Sequence, residues 1–333
     1  MLARTLPRHR RLAAVLATLA LSFSLSGEPH DASAQARPRA GASSAPRPYE
    51  AQQRELEAEV VRAGRSPRAM IPLLELWRMW NDAPPASTVQ ALERLSANSR
   101  LSVPVRQYAA QLLARARTRI GDPDASARAF DELGYIDTWR VVGPFDNEGK
   151  TGFARAFEPE AGRMQPVDLA AQFEGRERGV AWRMFPEVSQ YGYVSFDAVY
   201  RPDTNVCAYA ETFVTSERAQ ALTLWLGGGG ATRAWWNGEE VMSDAAYRQP
   251  DPDRQVAMVG AHQGLNRLLV KACVTETTWG FFARLGDPSG MPARGLTYST
   301  EGDATQVRPG HGVPRLPRAP QAPLAALESA ASG

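Results

Sequence analysis

The stretch ATRAWWNGEEV, residues 231–241, decides how the second half of the chain is read. Asn237-Gly238 sits between two short runs of strand-forming residues. A two-residue hairpin of this kind needs φ above zero at both central positions, which Asn and Gly tolerate. The spacing therefore predicts two antiparallel strands that meet at residues 237–238. Successive strand residues face opposite ways, so Trp235 and Trp236 cannot share a surface. In a two-layered β structure one indole must fill the inner core, with about 200 Å² of mostly apolar area to bury. Arg233 shares a face with Trp235, which favours Trp236 as the core residue. Trp235 then lies on an outer sheet face, where two readings stand. With Tyr247 and Arg248 on a neighbouring loop it would form a platform for stacking a sugar. Under long loops expected over residues 146–192 it would be a covered packing residue.

Outward from the hairpin the period of two recurs. DTWRVVG (137–143), VCAYAETFV (206–214), ALTLWLG (221–227), RQVAMV (254–259), NRLLVKACV (266–274) and GFFARL (280–285) are short runs separated by turn residues. Such a series predicts an antiparallel sandwich or barrel over residues 135–290. Residues 146–192, rich in Gly, Pro and charge, predict long loops with a short strand near Trp182, and Gly227 to Gly230 reads as a flexible turn. After Gly290 the chain turns to RPGHGVPRLPRAPQAP (308–323), which predicts a disordered Pro/Arg-rich tail over 291–333.

Upstream, residues 49–134 carry a helical period. A first helix over 50–63 ends at Gly64, and Ser66 caps a second with Pro67 at its first position. Met70, Leu73, Leu74, Trp77 and Trp80 then recur every three or four residues as one buried stripe. Ser87 and Gln90 have capping-box spacing for a third helix. Ser102 opens a fourth that Gly121 stops, and Asp122-Pro123 opens a fifth that Gly134 stops. The expected fold class is α plus β in more than one domain: a short helical region followed by an antiparallel β-sandwich, which the resemblances named below make repeat-like and a jelly roll.

The N-terminus has the form of a secretory signal over residues 1–34. Arg4, Arg8, Arg10 and Arg11 precede an apolar run from Leu12 to Leu25, and A-x-A cleavage sites fall at 32–34 and 34–36. An uncleaved anchor is the other reading of this run, which is short for a membrane span, and no second candidate span follows. Residues 35–48, Pro/Ser/Ala-rich, read as a disordered linker. The expected location is periplasmic or secreted. The full chain holds 38 basic and 36 acidic residues; cleavage removes four Arg, Glu28 and Asp31 and leaves 34 of each. A chain without net charge lacks the electrostatic pull on which nucleic acid binding depends, so no nucleic acid partner is expected.

Two cysteines in an exported chain suggest one disulfide, Cys207–Cys273. If their strands are antiparallel neighbours with the two Cys opposite, Tyr209 faces Lys271 and Glu211 lies diagonal to it. That register would cover the Lys271 ammonium and set a carboxylate near it.

The motifs that suggest chemistry fail on spacing. GPFDNEGKT (143–151) ends like a phosphate-binding loop, but five residues separate Gly143 from Gly149, Pro144 removes a donor, and Asp146 and Glu148 repel phosphate. Only His262 and His311 follow the signal as potential bases, with no nucleophile at a recognisable spacing. Glu239 and Glu240 are adjacent on a strand and point apart, which does not suit paired carboxylate chemistry. Asp244, Asp251 and Asp253 offer hard oxygen ligands that suit calcium, although their spacing matches no known loop; a polar loop is the plainer reading. No other cofactor or metal is expected, and the chain is read as noncatalytic.

Two family resemblances accompany these readings. YAAQLLARARTRIGDPDASARAFDELG (108–134) resembles a tetratricopeptide repeat, with Ser126 where that family usually has Ala. LTLWLGGGGATRAWWNGEEV (222–241) and QGLNRLLVKACV (263–274) resemble the galactose-binding-like jelly roll of carbohydrate-binding modules and β-galactosidase accessory domains. The shared pattern is W-x-N-G at Trp235 to Gly238 and G-x-N at Gly264 to Asn266. WRVVGPFDNEGKTGF (139–153) resembles the start of that domain in large exported bacterial proteins, which often add a transglutaminase-like domain. The resemblance implies a noncatalytic exported binding protein that takes a carbohydrate or a protein as partner. It equally allows a structural scaffold, or an N-terminal accessory part of a larger transglutaminase-like protein.

Overall fold

A computed structural model describes residues 48–165, 167–186 and 192–332. The expected signal, and all of the expected linker except Pro48, lie outside the described residues. The helical layer comprises α1 (Pro48–Ala63), α2 (Met70–Arg78), α3 (Pro85–Ala97), α4 (Val103–Arg119) and α5 (Pro123–Leu133). Its punctuation is local. Gly64, Gly121 and Gly134 adopt φ of +60°, +83° and +74°, a left-handed conformation that ends a helix at little cost for glycine. Asp122 accepts a hydrogen bond from the Ala125 N–H at the start of α5. The third helix begins three residues earlier than expected, at Pro85, so Ser87 does not cap it; its hydroxyl donates to Gln53 and to the Pro84 carbonyl instead. Met70, Leu73, Leu92, Val105 and Leu112 are buried in one helical core. Ser126, the departure from the repeat pattern, is buried with its hydroxyl bonded to Thr118 on α4 at 2.7 Å.

The rest of the chain is a two-sheet antiparallel sandwich. The larger sheet runs β4 (Arg183–Met184), β1 (Arg140–Asp146), β6 (Val206–Ser216), β11 (Gly264–Val274), β8 (Ala231–Trp236), β9 (Glu239–Asp244). The last stretch of β6 pairs with β13 (Leu296–Ser299). The smaller sheet runs β10 (Gln255–Ala261), β7 (Gln220–Gly229), β12 (Gly280–Gly286), β5 (Tyr193–Ser195). A small ladder, β2 (Phe173–Glu174) with β3 (Gly179–Val180), belongs to the intervening loops. Gly227 to Gly229, expected as a turn, continue β7, and a Cβ at Gly227 would come within 1.8 Å of the Asp251 carbonyl oxygen, so the glycines permit close backbone approach.

Alternation along the strands sets the layers. Ala208, Ala210 and Val214 of β6, Leu268 and Val270 of β11, and Trp236 of β8 face Leu222, Leu224, Phe281 and Leu285 of the other sheet. Trp236 is fully buried there, and its indole N–H crosses to the Gly260 carbonyl at 3.1 Å. Each such large side chain contributes about 1.5–3 kcal/mol through removal from water. The outer faces are covered too. Helix α4 covers the smaller sheet: the Tyr108 hydroxyl donates to Asp251 at 2.6 Å, and the Arg115 guanidinium lies over the Phe282 ring. A 3-10 turn (Glu148–Phe153), the one-turn helix α6 (Glu158–Ala161) and Trp182 cover the larger sheet.

The expectation of a structureless tail over 291–333 is corrected. Residues 296–299 form β13, and α7 (Pro323–Ser332) packs Leu324 and Leu327 on the helical core. Composition hid both elements because they flank the Pro- and Arg-rich stretch 308–323, and their few apolar residues find partners only in distant parts of the chain. The Cys207–Cys273 disulfide is present, with Lys271 opposite Tyr209 as the register required. Among the described residues no helix is long and apolar enough to cross a membrane.

Candidate functional site

The two tryptophans separate as alternation demands. Trp236 fills the inter-sheet core, and Trp235 lies on the outer face of the larger sheet. There it is only 3% exposed, packed in a cluster with Phe153, Phe157, Trp182 and Leu269. The platform reading of Trp235 is therefore corrected: its indole has no free face to offer a sugar, because the 146–184 segment lies over it. Tyr247 and Arg248 do not join it into one open surface.

Tyr247 sits at the loop end of the sandwich, half-buried. The Asn147 side-chain amide donates to its hydroxyl at 3.1 Å, and the Lys150 ammonium lies 4.8 Å from its ring centroid. Burial raises the Tyr247 pKa above its ordinary value, partly offset by the bond to Asn147. Asn147 is fully buried and also donates to the Val274 carbonyl, so it anchors the start of the covering segment to the end of β11. Gly149 and Lys150 both adopt positive φ (+60° and +65°), and this double left-handed turn aims Lys150 at Tyr247. Asp146 and Glu148 pair with Arg176, so this turn presents carboxylates rather than an anion cradle.

Arg248 belongs to a different network. It pairs with Asp244 and with Glu328 of α7, and Arg254 bridges Glu328 to Asp251. Asp253 makes a buried ion pair with Arg284, whose guanidinium stacks over Trp225. Each of the three carboxylates considered for calcium is thus committed to an arginine, and no acidic or His/Cys group suited to a metal occurs among the described residues.

Beneath the cover lies a buried polar cluster that the sequence placed only in part. Lys271 is fully buried and donates to Glu160 (2.9 Å), the Arg155 carbonyl (2.6 Å) and the Phe153 carbonyl (3.2 Å). Burial lowers its pKa, with Glu160 opposing that shift. Three acceptors match the three protons of an ammonium, which marks this as a structural cation rather than a free amine. Tyr209 also donates to Glu160, at 2.8 Å. The carboxylate near Lys271 is Glu160 of α6, not the expected Glu211. Glu211 instead holds Arg140 and Arg267, all three buried. Gly152 allows the cover to sit this close: a Cβ there would lie 2.9 Å from the Cys207 sulfur.

Both cysteines are consumed in the disulfide. His311 accepts a hydrogen bond from the Gly260 N–H through Nδ1 and lies 3.6 Å from Glu239; neither contact is to a nucleophile. The two signature asparagines meet: Asn237 donates to Asn266 at 3.0 Å and accepts from the Arg267 N–H, while Asn266 donates to carbonyls of β6 and of its own turn. Their shared role is to join two turns.

No family model matches the chain, and no curated protein matches it. Among solved structures, one similar chain is a beta-glucosidase from Kluyveromyces marxianus, 9% identical, with 44% of this chain and 16% of that one covered and a TM-score of 0.28. A second is an anti-sigma factor domain-containing protein from Clostridium clariflavum, at 11% identity, 50% and 48% coverage and a TM-score of 0.28. A GH31 alpha-xylosidase from Xanthomonas citri is 17% identical over 38% of this chain and 14% of its own, with a TM-score of 0.25. The match spans less than half of each of these proteins, and likenesses this distant carry no argument about activity.

Proposed function

We propose that this chain is a noncatalytic exported module in which the sandwich serves as a scaffold. It fastens a helical layer on one side and a loop layer on the other, and so positions a partner or a further domain, in keeping with the galactose-binding-like resemblance. One observation carries this reading: both outer sheet faces are covered from within the chain, so that even Trp235 is buried. Among the described residues each buried charge is paired within the chain, which suits a positioning role. A second reading is favoured by Tyr247, the one aromatic of the expected site that keeps partial exposure, with Lys150 beside it. In that reading a glycan or a protein docks at the loop end and displaces Lys150 from the ring.

A titration of the mature chain with cell-wall and plant oligosaccharides, with and without calcium, separates the two. Intrinsic fluorescence should stay flat across the panel for a scaffold. A saturable change lost in Tyr247→Ala, with the fold intact by circular dichroism, would replace the scaffold reading with the binding one.

A further inference from the structure

We propose that the free edge of β10 docks an extended, uncharged peptide segment of a partner protein by strand addition. The proposal stands whether or not the sandwich binds a glycan. Strand β10 pairs on one side only, with β7, in unbroken register from Gln255 opposite Leu226 to Ala261 opposite Gln220. In an antiparallel ladder the N–H and C=O of one residue point the same way, and alternate residues point away from the partner strand. Gly260 is one that points away: its N–H donates to His311 Nδ1 at 3.0 Å, and its C=O accepts from the Gly312 N–H at 2.9 Å. Met258 and Val256, two and four residues earlier, therefore turn their backbone groups to the same side. Among the described residues those groups have no hydrogen-bond partner.

Beside Val256 runs a groove of about 520 Å³ between β9, β10 and α7. Met242, Val256, Ala322, Ala325 and Ala326 supply its apolar lining, and Ser243 is among its polar residues. No charged residue lines it, although 22% of the chain is charged. A Lys or Glu entering would lose water without meeting a counter-charge, which selects a neutral occupant. The alanines of α7 leave room for short side chains. The edge already accepts an extended segment, since residues 311–312 pair at Gly260; a peptide entering at Met258 continues that interface. Unpaired edges are a liability that proteins normally cover, and among the described residues backbone pairing along this edge ends at Gly260.

The test uses the mature chain and the peptide acetyl-Ser-Ala-Val-Ala-Val-Ala-Ser-amide. Two controls are its N-methylated form, which lacks alternate backbone donors, and a form with both Val replaced by Lys. The plain peptide should slow hydrogen exchange of the Val256 and Met258 amides by at least about tenfold, and neither control should. Val256→Pro removes one outward donor at an edge position where proline is tolerated, and should abolish binding while thermal unfolding persists. Ala325→Arg blocks the groove without touching β10 and should do the same, which covers the case where the proline variant fails to fold. Unchanged exchange with the plain peptide, or equal effects from all three peptides, overturns the proposal. Concentration-dependent protection of the same amides without peptide also overturns it, by assigning the edge to a second copy.

Discussion

The two outer faces of the sandwich are both buried, yet by different means. The smaller sheet rests on helices that the sequence announces with caps and glycine stops. Its interface is mainly aromatic and guanidinium: Arg115 over Phe282, and Arg284 over Trp225 with Asp253 as its carboxylate. The larger sheet lies under a segment with almost no regular structure. That segment is held by the aromatic cluster around Trp235, the Lys271–Glu160–Tyr209 contacts and the close approach of Gly152 to the disulfide. A regular element brings its own backbone hydrogen bonds and needs only a packing face. An irregular cover must satisfy its backbone elsewhere, and a buried lysine that donates to two of its carbonyls does part of that.

Alkaline pH should break both faces together, and it is the largest effect expected. Burial raises the pKa of Tyr108 and Tyr135 on the helical side, of Tyr209 under the loop cover, and of Tyr193, Tyr200 and Tyr298 elsewhere in the fold. A group whose folded pKa lies above its unfolded value contributes stability that is complete below the unfolded value, near 10 for tyrosine, and is lost as pH rises. Each such phenol costs about 1.4 kcal/mol per pH unit above that point. Lys271, lowered by burial, acts with the opposite sign and adds stability as pH rises towards 10.5, but it is one group against six. Ultraviolet titration should show phenolate appearing in one cooperative step above pH 10, coincident with loss of the near-ultraviolet circular dichroism. Gradual, non-cooperative ionisation would mean that these hydroxyls reach solvent.

Glu211→Ala and Asp253→Ala compare the faces directly. Loss of Glu211 strands two buried guanidiniums, Arg140 and Arg267, and should cost at least about 3–5 kcal/mol in urea unfolding. Loss of Asp253 strands only Arg284, which keeps the Gly290 carbonyl and the face of Trp225, so its cost should fall at the low end of that range, about 3 kcal/mol. Equal costs would show that a second stranded cation adds nothing.

The same contrast explains what could be read from the sequence. Once β6 and β11 are neighbours, strand alternation and the two cysteines set their register, and Arg233 favours Trp236 over Trp235 as the core residue, because these are relations between neighbours on one sheet. Helix boundaries were legible through local chemistry, except at α3, where the Pro84-Pro85 pair overrode the capping-box spacing at Ser87. The partner of Lys271 was not legible. Glu160 lies 111 residues away on a single turn of helix, and no periodicity marks it. The same holds for β13 and α7, which flank the Pro- and Arg-rich stretch 308–323 and pack on elements distant in sequence. For the candidate site, Tyr247 and Arg248 are close in sequence but serve separate networks, and adjacency alone could not reveal that.

Removal of the disulfide by Cys207→Ala with Cys273→Ala sharpens the account of the irregular face. The bridge joins two strands that are already paired along their full length, so its contribution comes chiefly from the chain it closes in the unfolded state, about 2–4 kcal/mol. Both sulfurs are buried beneath the cover. The native chain should therefore show no thiols with a labelling reagent until unfolded and reduced. Two thiols in the unreduced, unfolded protein would remove the bridge from the fold.

The smallest effect belongs to Glu328, where α7 meets the sandwich. It takes Arg248 and Arg254 at once, yet the carboxylate side chain is 47% exposed, and exposed pairs contribute at most about 1 kcal/mol each because water and salt screen them. Glu328→Gln should lower stability by less than about 1 kcal/mol, and 0.5 M salt should erase the difference between variant and parent. Leu324→Ala removes a buried contact of the same helix from the helical core and should cost about 2–5 kcal/mol whatever the salt. If the glutamate variant proved the more damaging, α7 would be held by charge rather than by packing, and the wall it forms beside β10 would open with rising ionic strength.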